Sequence, residues 1–83
     1  MQIGTVVEVN PRRGMFVVKI DDGDFVVFEL LEGIDIAKND RVSGHLNDLG
    51  GTNLRHLGQG REFSVYGQSG PSSLGPCIRM IGL

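Results

Sequence analysis

The sequence predicts an all-β fold: a small antiparallel barrel of five short strands over residues 1–59, followed by a C-terminal extension over residues 60–83. Three observations carry this. From Gly4 to Glu29 (GTVVEVNPRRGMFVVKIDDGDFVVFE), runs of β-branched and aromatic residues are broken at Asn, Pro, Asp and Gly. Glycine is abundant, at 13 residues, which suits a tightly curved sheet with many turns. The 83 residues make one small domain, and a chain of that size buries only about 60–65% of its unfolded surface.

Val6, Val7 and Val9 mark the first strand, which ends at the Asn10-Pro11 turn. Ile3, Thr5, Val7 and Val9 would share one face of a regular strand, but the alternation is only partial. Arg13 to Ile20 is the second strand. Period two places Phe16, Val18 and Ile20 on one face and Met15, Val17 and Lys19 on the other. After the Asp21–Asp24 turn, Phe25 and Val27 face one way and Val26 and Phe28 the other. These three strands form a meander. Glu29 to Gly33 reads as a short helical turn capped by Gly33, with Leu30 or Leu31 plugging one end of the barrel. Asn39 suits a left-handed turn. Arg41–Leu46 and Thr52–Leu57 are the fourth and fifth strands, joined by a loop at Asp48–Gly51; Leu54 and Leu57 point inward. The expected core is Val6, Val9, Phe16, Val18, Phe25, Val27, Val42 and Leu54.

Gly58-Gln59-Gly60 interrupts the pattern. Residues 61–66, with Phe63, Val65 and Tyr66, read as an extra strand or an arm packed on the barrel. Gly67 to Pro76 reads as a flexible Gly/Ser/Pro linker. Cys77 to Ile81 is a short apolar tail that follows the arm or contacts a second copy.

The stretch from Gly4 to Gly23 resembles the first half of a bacterial cold-shock domain. That family opens with Gly, a valine-rich strand and Asn, then Lys-Gly-Phe-Gly-Phe-Ile, an Asp-Gly turn, and Val-Phe-Val-His-Phe. Gly4, Val6, Asn10, Gly14, Asp21, Asp22 and Gly23 agree, and Arg13 stands for the lysine. The similarity weakens after Glu29 and resumes near Asp40–Leu57. It implies an OB-type barrel that binds single-stranded RNA or DNA, with a bulge in the first strand that lets both parities be used. It also implies a binding face of Met15, Val17, Val26 and Phe28, with Arg12, Arg13 and Lys19 reaching phosphates. Met15 and Val17 stand where the family has stacking phenylalanines, Phe28 where it has a base-contacting histidine, and Glu8 where it has a tryptophan. Each stacked base is worth about 1–3 kcal/mol, so binding with most platforms replaced is weak and salt-sensitive.

The alternative is a non-enzymatic protein-interaction or self-associating module. Met15, Val17, Val26 and Phe28 would then form an apolar patch for a partner, for the chain's own tail, or for a homodimer contact. The net charge of −2 is low for a phosphate-gripping domain. His45 and His56 lack a third ligand at useful spacing, so no metal is expected. No nucleophile–base constellation, and hence no catalytic residue or cofactor, is expected. Cys77 is the only cysteine, which favours a reducing, cytoplasmic setting. No apolar run is long enough for a membrane span, and no leader is expected.

Overall fold

The computed structural model describes Met1–Leu83. Six strands and one helix follow in order: β1 (Gln2–Asn10), β2 (Met15–Ile20), β3 (Phe25–Leu30), β4 (Arg41–Gly44), β5 (Gly50–His56), β6 (Arg61–Ser72) and α1 (Leu74–Met80). The strands close into an antiparallel barrel in the order β1-β2-β3-β6-β5-β4. β1 to β3 form the expected meander, and β4 returns to lie beside β1, a Greek-key connection. The count differs from the expected five because β6 pairs with both β3 and β5. The barrel therefore takes in residues well past 59. Residues 67–72, read from composition as a linker, are the second half of β6.

The first strand carries the expected bulge. Its register with β2 shifts between Val6 and Glu8, so Val7 is the extra residue. That shift lets Val6 and Val9 both turn inward while Val7 packs outside the barrel. Gly4 has no room for a side chain, because a Cβ there would press on Val18 and the Lys19 carbonyl. Asn39 is the non-glycine residue with positive φ, at 79°, as its turn position suggests.

Eleven buried residues fill the barrel: Val6, Phe16, Val18, Ile20, Val26, Phe28, Val42, Leu46, Leu54, Phe63 and Val65. Phe16 stacks at 5.8 Å from Phe28 and 6.4 Å from Phe63 between ring centroids, both tilted. Of the expected core, Val6, Phe16, Val18, Val42 and Leu54 lie here, and Val9 packs half-buried against them. Phe25 and Val27 do not. They belong to a second cluster on the outside of the sheet, with Met15, Val17, Cys77 and Ile81.

Three further expectations are corrected. Glu29 and Leu30 continue β3 instead of starting a helical turn, and Leu30 packs half-buried on the core while Leu31 is exposed. Leu57 is also exposed, since β5 ends one residue earlier at His56. The tail neither runs on as an extended arm nor depends on a second copy; it docks on its own barrel. It forms α1, which carries Pro76 in its first turn, where a missing N–H breaks no helical bond.

Candidate interaction surfaces

The register of β2 against β3 decides where the expected binding residues lie. Phe16 pairs with Phe28 and Val18 with Val26. Directly opposed residues share a face of the sheet, so Val26 (0% exposed) and Phe28 (1%) are inside the barrel. Neither is available to a base or a partner. Met15 and Val17 are on the outer face, as the resemblance implies, with Glu8 beside Val17. That face is covered. α1 places Cys77 and Ile81 on Met15, Val17 and Val27, with Leu74 at its edge. The spacing of three and four residues between Leu74, Cys77 and Ile81 puts them on one side of the helix.

Arg12, Arg13 and Lys19 remain exposed. Arg12 and Arg13 sit on the β1–β2 turn, held by Asn10, whose Oδ1 accepts the Arg12 N–H at 3.2 Å. The Asn10 Nδ2 donates to the Ile81 carbonyl at 2.6 Å, tying the turn to the end of α1. Arg13 lies against Gly82. Lys19 stands apart on β2, between Thr5 of β1 and Phe25 of β3. None of the three forms an ion pair, whereas Lys38, Arg41 and Arg61 are paired with Glu8, Asp21 and Glu32 at 3.1, 3.0 and 2.6 Å. Glu32 also accepts the Ser64 N–H at 2.8 Å. That backbone bond, with Arg61 beside it, holds its carboxyl below the usual value.

A third surface was not foreseen. At one mouth of the barrel, Val9, Pro11, Gly14, Leu30, Ile34, Asp35 and Ile36 line an open cleft of about 310 Å³. Its wall is the loop after β3, and that loop is pinned. The Gln59 side chain donates to the Asp35 carbonyl at 3.0 Å. His56, buried on β5, accepts the Gln59 N–H through Nδ1 at 3.0 Å, so its ring proton resides on Nε2. Nε2 donates to Asp40 Oδ2 at 2.9 Å. Asp40 also accepts the Ala37 N–H at 2.9 Å. Burial alone would raise the Asp40 carboxyl, but these hydrogen bonds hold it below the usual value. The Asp40 carbonyl and the Asn39 N–H then pair with Val6 on β1. The cleft is thus preformed. The sequence signal for it was the Ile34-Asp35-Ile36 alternation inside an otherwise polar loop.

His45 is exposed and far in role from His56, which serves this pinned loop. No three His, Cys, Asp or Glu side chains come together as metal ligands. No helix is long and apolar enough to cross a membrane. No family model matches the chain, and no curated protein or solved structure matches it.

Proposed function

We propose that this chain is a non-enzymatic protein-interaction module that takes an apolar side chain of its partner into the cleft at the barrel mouth. One observation carries the reading. The outer face of β2 and β3 is sealed by α1, while the mouth cleft stays open, apolar and held in shape by the Asp40–His56–Gln59 bonds. Ligand sites run from about 300 to 1,000 Å³; the cleft lies at the small end of that range, which suits a side chain better than a nucleotide. Its four aliphatic walls favour Leu, Ile or Phe, and Asp35 at the rim favours a basic neighbour in the partner segment. The free, buried Cys77 fits work in a reducing, cytoplasmic setting.

The cold-shock-type reading keeps two supports: the resemblance of Gly4–Gly23, and the three unpaired cations Arg12, Arg13 and Lys19. It requires contact through those cations rather than through stacking. A two-arm NMR titration separates the readings. In one arm N-acetyl-leucinamide is added at millimolar concentration, and shifts are expected at Val9, Leu30, Ile34 and Ile36, abolished by Ile36→Asp. In the other arm a short oligo-dT and a short RNA are added, and no saturable shift is expected. Saturable, salt-sensitive shifts clustered on Arg12, Arg13 and Lys19, with none at the cleft, overturn the proposal in favour of nucleic-acid binding.

A further inference from the structure

The outer cluster on β2 and β3 is a groove with a helix already in it. We infer that α1 is an exchangeable element, and that the groove of Met15, Val17 and Val27 accepts the α1 of a second copy of this chain, giving a helix-swapped dimer. This inference is independent of the barrel-mouth reading.

Three observations converge on it. First, the groove and the barrel interior share no residue. Moving α1 out leaves all the interior contacts in place. Second, α1 cannot stand alone. It is seven residues long, and Ser73 at its N-cap makes no side-chain capping bond. Helices shorter than about 12 residues do not persist in water by themselves. α1 therefore needs an apolar surface, and the groove of a second copy offers the same contacts as its own.

Third, the segment before α1 is built like a hinge. The pairing of β6 with β3 shifts register twice, between Phe25 and Val27 and between Val27 and Phe28. Beyond Gly67, only Ser69 and Ser72 have partners on β3. Pro71 has no N–H to give to the ladder. The Ser69 hydroxyl is buried without a hydrogen-bond partner, a cost that peeling the segment into water removes. Ser73 alone joins β6 to α1, and short, constrained connections of this kind favour exchange between copies. Released, residues 69–73 span about 17 Å when extended, enough to carry α1 across to an adjacent barrel. Because the contacts of α1 are the same in both forms, the hinge and the concentration set the balance between them.

The test begins with the wild-type chain, refolded at millimolar concentration from a mixture of carbon-13-labelled and unlabelled protein. Light scattering after gel filtration is expected to show a dimer fraction. In that fraction, isotope-filtered NOEs are expected between Ile81 of one chain and Val17 and Val27 of the other. Complementation provides the second arm. Ile81→Asp spoils the helix and Val17→Asp the groove; Met15→Asp, at the edge of the cluster, replaces the latter if that variant does not fold. Mixing the two variants leaves one intact helix for one intact groove, so the heterodimer is expected to exceed the dimer of either variant alone by several-fold. A refolded wild type and a variant mixture that both stay monomeric overturn the inference. So does a dimer whose Ile81 contacts are all intramolecular.

Discussion

Strands β2 and β3 bury both of their faces, but by different means. The inner face, with Phe16, Val18, Val26 and Phe28, is enclosed by a ring of six strands. The outer face, with Met15, Val17 and Val27, is covered by one short helix. Both faces bury apolar side chains, yet they differ in what must break to open them. Opening the inner face means separating strands that are hydrogen-bonded to neighbours on both sides. Opening the outer face means lifting α1 from its apolar contacts and the Asn10–Ile81 bond. Stability is not uniform across a fold, and here the two sides of one pair of strands belong to its two extremes.

The largest effect should come from Phe28→Ala, which leaves a cavity beside Phe16 and should cost about 3–5 kcal/mol. Urea unfolding with an unchanged slope would measure it. A loss under about 0.5 kcal/mol, the range of a surface substitution, would mean that Phe28 is not inside. Ile81→Ala should cost less, about 2 kcal/mol at most, at the low end for a buried aliphatic truncation, because α1 can undock without opening the barrel. Hydrogen exchange should then show α1 amides losing protection while those of β2 and β3 keep theirs. If both sets lose it equally, the two faces are one cooperative unit and the contrast fails.

Asn10→Ala should remove about 1 kcal/mol, again read as lost protection confined to α1. The acid response sharpens the contrast from the other side. Asp40 has a depressed value when folded, so its carboxylate contributes stability that is present above the unfolded value and is lost as pH falls through the folded one. The window therefore lies below the ordinary 3.8 of this aspartate. Asp40→Asn should flatten the acid limb of a stability–pH curve, with changes in exchange at residues 34–40 and none at α1. The smallest effect should be Lys19→Ala, within about 0.5 kcal/mol, since Lys19 is exposed and unpaired.

The contrast also explains which parts of the fold were legible in the sequence. The meander and the two later strands follow from local signals, β-branched runs and turn residues, whereas the bulge in β1 and the left-handed Asn39 are implied by the family resemblance. The identity of the inner face does not. Period two separates Phe25 and Val27 from Val26 and Phe28, and Glu29 shares the parity of Phe25 and Val27, but it marks the outside only if β3 runs through it, whereas Glu29 reads as the start of a turn. Phe16 and Phe28 resolve it only through their cross-strand pairing, which is a long-range fact. The second half of β6 was hidden for another reason. Gly67, Ser69, Gly70 and Pro71 have low strand propensity, and the segment is extended because Gly67 pairs with both β3 and β5 while Ser69 and Ser72 pair with β3. Gly67 is even required, since the Asp48 carbonyl crosses where a Cβ would stand. The mouth cleft left a faint trace, Ile34 and Ile36 in a polar loop, but its anchors come from Gln59 and His56, far along the chain.

The position of β6 in the ring has a consequence for how the molecule is made. Its strand lies between β3 and β5, yet it is the last of the six to be synthesised. Until it emerges from the ribosome, both of those neighbours carry a bare row of N–H and C=O groups, and Phe63 and Val65 are missing from the interior. Unpaired edges of this kind are where nascent chains join one another. Each molecule therefore passes through a brief interval, ended when residues 61–72 join the ring, in which it is most open to a neighbour on the same messenger.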